Sequence, residues 1–384
     1  MLSNEQAERL VREGVEALRQ GRAAEARARF GQVAATGRAS AQIWLLLATA
    51  CRSTNDPEGE EAALDRLLSI DPKAVRGQIM KADCRLKAGD ELAASRFYRS
   101  AMQIAAGQRV PPDLAGELSR AEQAVAEIDV RGDERREGFL TARGLPPGKR
   151  SRRFQQSLDI SAGRKSIFLQ EPTSYFFPEL PQRQFYERDE FSWAGQVEAA
   201  GTAIREELAA VLGGGREGFR PYLHGDPDRP PVHGNRPLVD SSDWSALFLC
   251  ENGALFESAV ARCPLTWAAV QAAPLPRIAG SCPTVMFSLL RPGARIAPHS
   301  GMFNTRLICH LPLIVPPNCG FRVGNEVREW KEGELLIFDD TIEHEAWNES
   351  DQDRVVLIFD IWRPELTEQE RQEVTALFLG PVAE

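Results

Sequence analysis

The chain has 384 residues, 43% of them hydrophobic, and 46 Lys and Arg against 55 Asp and Glu give a net charge of −9. That length exceeds one ordinary domain, so two are expected, each with enough apolar content to bury a core. The mild acidity argues against broad nucleic-acid binding. No stretch approaches the roughly 20 apolar residues of a membrane span, and the charged opening MLSNEQAERL lacks the apolar core of a signal peptide, so a cytoplasmic location is expected. Seven scattered cysteines, none in a CxxC pair, indicate neither a disulfide framework nor a zinc ribbon, and reduced thiols are the expectation.

Residues 1–130 are Ala-rich and helix-forming, with a period of 34. Small residues recur at Gly14, Ala48 and Ala82, turn-formers at Gly21, Asn55 and Gly89, and bulky ones at Phe30, Leu64 and Tyr98, with Ala34, Leu68 and Met102 extending the series. Small residues let the two helices of a hairpin approach, turn-formers close it, and bulky ones fill the seam. The pattern resembles three tetratricopeptide repeats, although Glu60 stands where Ala26 and Ala94 predict a small residue, and Gln78 where Leu10 and Trp44 predict an apolar one. A generic helical bundle is the plainer alternative. Such an array is a candidate surface for recruiting a peptide or protein, or equally a scaffold or dimerisation element.

Residues 131–165 are rich in Arg, Gly and Pro and read as a solvent-exposed basic linker. Lys149, Arg150, Arg152 and Arg153 form a basic cluster without interleaved aromatics, which makes a solvated surface the simpler reading than nucleic-acid contact. The apolar spacing of EFSWAGQVEAAGTAIREELAAVLGGG then predicts a helix that covers one sheet. His224 and His233 follow in a Pro- and Gly-rich stretch with no strand period to fix them, and read as loop histidines.

In and around the stretch from Ser288 to Arg354 the chain alternates short apolar strands with turns: TVMFSLL, TRLICHLPLIV, GFRV, GELLIF and RVVLIFDIW. Antiparallel strands of this length suit a double-sheet jelly roll. His299 and His344 fall at strand ends, a pattern that fits a metal pair, whereas either alone would more often be a hydrogen-bonded structural residue. In the two-histidine, one-carboxylate iron sites the carboxylate commonly lies two residues after the first histidine, but here that position is Gly301. Arg354 opens the return strand and is expected beside the metal strand, where a buried guanidinium needs an anion. A dicarboxylate would supply one, and so would Asp339 or Asp340.

PHSG with Asn304 and Arg306, His310, LLIFDDTIEHEAWN, Arg354 and FDIWRPELT together resemble the aspartyl/asparaginyl β-hydroxylase family of iron(II)- and 2-oxoglutarate-dependent dioxygenases. The likeness spans roughly residues 170–375, including Trp244 and the Cys263-Pro264 step. It implies a double-stranded β-helix (jelly-roll) domain over 166–384, with His299 and His344 as iron ligands and no third carboxylate. It further implies Ser288 and Arg354 on the distal carboxylate of 2-oxoglutarate and His310 on the co-substrate near the metal. Ile308 departs from the animal enzyme, which has a second co-substrate arginine there. Asp340 is either a hydrogen-bonding neighbour of a metal-bound water or a cap on the strand-end turn.

The activity so implied is oxygen-dependent hydroxylation of an amino-acid side chain, in a protein or peptide or as the free amino acid, with succinate and carbon dioxide as co-products. A repeat-based interaction protein carrying a relic barrel is the alternative, against which the intact His299, His344, Ser288 and Arg354 count. A metal hydrolase is disfavoured, because Gly301 leaves no third ligand and no general base is evident.

Overall fold

The computed structural model describes residues 2–106, 110–225 and 235–380. The chain divides after Ala162 into two compact units.

The first unit is helical throughout: α1 (Asn4–Arg19), α2 (Ala23–Ala34), α3 (Ala41–Ser53), α4 (Pro57–Ile70), α5 (Val75–Lys87), α6 (Glu91–Ala105), α7 (Pro112–Ala142) and α8 (Arg152–Ser161). The first six pair as three hairpins in the expected register. Gly21, Asn55 and Gly89 close them in the left-handed region, at φ 75°, 52° and 81°. Phe30, Leu64 and Tyr98 fill the seams with no exposure. A Cβ on Gly14 would lie 2.6 Å from the Phe30 ring, so the helices of the first hairpin meet only because that position is bare.

Both departures from the repeat are buried polar groups with a specific hydrogen-bond partner. Buried Glu60 accepts from Arg52 Nε at 2.6 Å, and the Gln78 amide donates to the Pro72 carbonyl at 2.8 Å. The stretch expected to be an open linker, 131–165, is instead largely helical, because α7 continues to Ala142 and α8 follows it. Ser151 caps α8 by accepting from Phe154 N, and Arg150 binds the Glu137 carboxylate, which uses part of the basic cluster for structure.

The second unit is built on β1 (Phe185–Tyr186), β2 (Arg220–Pro221), β3 (Trp244–Glu251), β4 (Ala254–Leu255), β5 (Val285–Leu290), β6 (Arg295–His299), β7 (Arg306–Ile314), β8 (Cys319–Val323), β9 (Glu326–Arg328), β10 (Leu336–Phe338), β11 (His344–Asn348) and β12 (Arg354–Trp362). They form two antiparallel sheets, a larger one in the order β1-β10-β7-β12-β5-β3-β2 with β4 on β3, and a smaller one ordered β6-β11-β8-β9.

The predicted covering helix is present, broken at Ala200 into α9 (Ala194–Ala199) and α10 (Gly201–Gly213); α11 (Glu257–Arg262) and α12 (Pro264–Val270) join it, and α13 (Glu368–Leu379) ends the unit. Alternation along the central strands separates two cores. Leu307, Cys309 and Leu311 of β7 and Val355, Leu357 and Phe359 of β12 pack against Val197, Ile204 and Leu208 of the helices. The intervening residues face the smaller sheet, where Val356 and Ile358 meet Ile296, Phe321, Val323 and Ala346.

One expectation is corrected by this topology. Arg354 is not beside the strand that carries His344: β11 belongs to the smaller sheet, while β12 pairs with β5 and β7 in the larger. The turn after Asn348 carries the chain from one sheet to the other, so Arg354 reaches the interior from the opposite wall.

Candidate active site

His299 is the last residue of β6 and His344 the first of β11, and the two are direct cross-strand partners. Their ring centroids stand 4.1 Å apart. Each ring is fixed by the carbonyl two residues earlier, His299 Nδ1 lying 2.9 Å from the Ala297 oxygen and His344 Nδ1 3.2 Å from that of Ile342. A nitrogen facing a carbonyl carries the proton, so both rings are held as the tautomer whose Nε2 has a free lone pair. Among the described residues neither Nε2 has a hydrogen-bond partner. Burial lowers the pKa of both rings, and for His344 the neighbouring His299 adds to it, so they sit as neutral imidazoles. That is the donor set an imidazole-bound metal requires, and among the described residues no third His, Cys, Asp or Glu joins it.

The position of the missing carboxylate is filled from elsewhere. A Cβ on Gly301 would lie 2.0 Å from Asp340 Oδ2, so the Asp340 carboxyl occupies the space a side chain there would need, while Gly301 N donates to the Asp340 carbonyl at 2.7 Å. Asp340 is buried with Oδ1 unpartnered, and burial raises its pKa to about 7 against the opposing pull of Arg306. Arg306 itself donates to Asp360 Oδ2 at 2.8 Å.

Behind the histidine pair lies the group expected to take a diacid. Arg354 is 1% exposed, its Nε has no partner, and no carboxylate among the described residues lies within ion-pair distance of it. Neither carboxylate considered from sequence serves it: Asp339 is bound to Arg363 at 2.6 Å, and Asp340 lies 3.9 Å from Arg306. Burial depresses the Arg354 pKa to about 10, which still leaves it charged at neutral pH. Ser288, 1% exposed on the adjoining β5, accepts from Trp244 Nε1 at 3.1 Å, which leaves its hydroxyl proton available to a ligand.

His310 stands opposite Ile358 in an aromatic enclosure, its ring 4.8 Å from Phe338, 5.0 Å from Phe321 and 6.0 Å from Trp330. Burial, then the Arg354 charge, hold its pKa well below the usual range, and its Nδ1 is unpartnered. Ile308 points into the same interior and packs on the inter-sheet core, as an apolar replacement for arginine would.

Trp330 is a participant that sequence reasoning did not find. It sits between β9 and β10, where nothing in VREWKEGEL marks it as inward-facing, yet it is 6% exposed with the Arg354 guanidinium 4.5 Å above its ring. Of the loop histidines, His224 does not enter the site, being half-exposed and 3.6 Å from Asp240; His233 lies outside the described residues.

A family model described as aspartyl/asparaginyl β-hydroxylase matches residues 198–364, and one described as tetratricopeptide repeat matches residues 17–84. An ornithine lipid ester-linked acyl 2-hydroxylase from Rhizobium tropici is 35% identical over 229 residues, covering 59% of this chain and 75% of that protein. The human aspartyl/asparaginyl β-hydroxylase is 37% identical over 143 residues, 36% of this chain but only 18% of the human protein. Human aspartate β-hydroxylase domain-containing protein 1 is 33% identical over 214 residues, 55% of this chain and 52% of that protein.

The two-sheet fold and these matches define a hydroxylase-type domain that follows tetratricopeptide-like repeats. The chain belongs to the aspartyl/asparaginyl β-hydroxylase family.

Proposed function

We propose that this protein is an iron(II)- and 2-oxoglutarate-dependent hydroxylase. The observation that carries the reading is a fully buried, charged guanidinium without an anionic partner in the same interior as two imidazoles fixed with free Nε2 atoms. An uncompensated buried charge costs several kcal/mol, a cost that a bound diacid removes. His299 and His344 would hold the metal. Arg354 and the Ser288 hydroxyl would bind the distal carboxylate, and His310, kept neutral by its aromatic enclosure, would meet the co-substrate nearer the metal. Iron together with 2-oxoglutarate and oxygen supplies the insertion of one oxygen atom into an unactivated C–H bond, with succinate and carbon dioxide released. The chain's own part is to orient the diacid, exclude water between the sheets, and hold the two imidazoles neutral and aimed.

The substrate we propose is an amino-acid side chain, free or within a peptide that the helical repeats recruit. A lipid acyl chain is the competing class, which the name of the Rhizobium tropici relative brings forward. The test is mass spectrometry of aspartyl and asparaginyl peptides, free amino acids and ornithine lipids after incubation with iron(II), 2-oxoglutarate and air. One added oxygen matched by succinate identifies the substrate, and both should vanish in His299→Ala and His344→Ala. Succinate release that survives either substitution would sink the proposal.

A further inference from the structure

Four polar groups meet between the sheets around one guanidinium, and they are not equally satisfied. Trp244 donates its indole N–H to Ser288. The Trp330 Nε1, the Arg354 Nε and the His310 Nδ1 are all buried without partners. They do not satisfy one another, although the Trp330 ring lies 4.5 Å below the guanidinium carbon and 6.0 Å from the His310 ring. An indole N–H and a guanidinium are donors only, so neither can serve the other. A buried donor with no acceptor is costly, and two such donors side by side call for a ligand that brings lone pairs.

We infer that Trp330 is a direct anchor for the distal carboxylate of the bound diacid, its indole N–H donating to that group while its ring supports the guanidinium of Arg354. The inference rests on the reading of the site given above. A carboxylate offers about four lone-pair positions. Arg354 in a bidentate grip and the Ser288 hydroxyl take three, which leaves one for the indole. Phe321, stacked on Trp330 at 5.4 Å and 14°, holds the ring in place and leaves it little freedom to turn the N–H elsewhere.

The test compares two ligands that differ only at the distal group. Calorimetric titration of the full chain with iron(II), under argon, would measure binding of 2-oxoglutarate and of 2-oxopentanoate, which has a methyl group in place of that carboxylate. Trp330→Phe keeps an aromatic ring for Arg354 and removes only the N–H, and it should cut the preference for 2-oxoglutarate about tenfold, as loss of a hydrogen bond to a charged group does. Trp330→His, which retains a ring N–H, should recover part of it. An unchanged preference in Trp330→Phe, or an equal weakening of both acids, overturns the inference. Arg354→Met is the control: if it too leaves the preference intact, the diacid reading falls and Trp330 falls with it.

Discussion

Arg354 opens β12 and Arg363 follows its last residue, and the two guanidiniums are among the largest side chains in the protein with almost no exposure. Arg363 is surrounded by acceptors: Asp339 at 2.6 Å, the Pro181 carbonyl at 2.6 Å, the Tyr186 hydroxyl at 2.8 Å and the Asn304 carbonyl at 3.2 Å. Asp339 in turn accepts from Gln170 at 2.6 Å and from Thr341 N at 3.0 Å. Arg354 has an aromatic ring beneath it, and among the described residues its Nε has no acceptor and no carboxylate pairs with it. One charge is buried with its partners and ties the 163–184 segment to the sheets; the other is buried with no carboxylate beside it among the described residues, which is the basis of the diacid site proposed above.

The largest expected effect separates the two at once. Arg363→Met removes the guanidinium that pairs with the buried Asp339 carboxylate, and should lower the unfolding free energy by about 3–5 kcal/mol. Urea denaturation followed by tryptophan fluorescence reads this, since six of the seven tryptophans lie beyond residue 162. Arg354→Met should behave in the opposite way. It removes a desolvated charge that nothing offsets, so the ligand-free protein should be as stable as the parent or more so, while 2-oxoglutarate binding weakens about 100-fold. A destabilised Arg354→Met with unchanged affinity would erase the distinction.

Next in size is the support behind Ser288. Trp244→Phe frees the Ser288 hydroxyl to rotate, and 2-oxoglutarate affinity should fall about five- to tenfold, the cost of one disordered hydrogen bond. Calorimetry checks it, and an unaltered affinity would mean that Ser288 does not donate to the ligand.

Much of this arrangement could be read before the fold was known. The repeat register was visible because each hairpin restates it, so that Gly21, Asn55 and Gly89 vouch for one another. The histidine pair was visible because both residues fall at strand ends flanked by turns. What could not be read was the choice of wall. Asp339 and Asp340 are adjacent in sequence, yet alternation along the chain sends one to Arg363 and the other toward Gly301 and Arg306, and neither to Arg354. Trp330 was hidden for the same reason: its burial depends on the loop that crosses from β9 of the smaller sheet to β10 of the larger folding inward beneath the Arg354 guanidinium. The helical continuation through 131–142 was masked by composition, since Arg- and Glu-rich segments suit a solvated helix as well as an open linker.

The smallest effect concerns His310, and it tests whether the Arg354 charge is felt next door. The imidazole is kept neutral in the folded protein, first by burial and then by that charge, whereas in the unfolded chain it titrates near the ordinary value of 6.5. Below that value the unfolded chain binds the extra proton, so stability is fully present above pH 6.5 and is lost as the pH falls toward the depressed folded value. For a single imidazole the loss between pH 6.5 and 5.5 is about 1 kcal/mol. Metal-free His310→Gln should therefore show a shallower decline over this window than the parent, by that amount. Arg354→Met should also flatten it, though less, because removing the charge lets the His310 pKa rise part of the way while burial still holds it down. A decline in Arg354→Met parallel to the parent's from pH 7 to 5.5, with His310→Gln shallower, would show that the Arg354 charge does not reach His310, and with it the contrast between the two ends of β12 would lose its electrostatic basis.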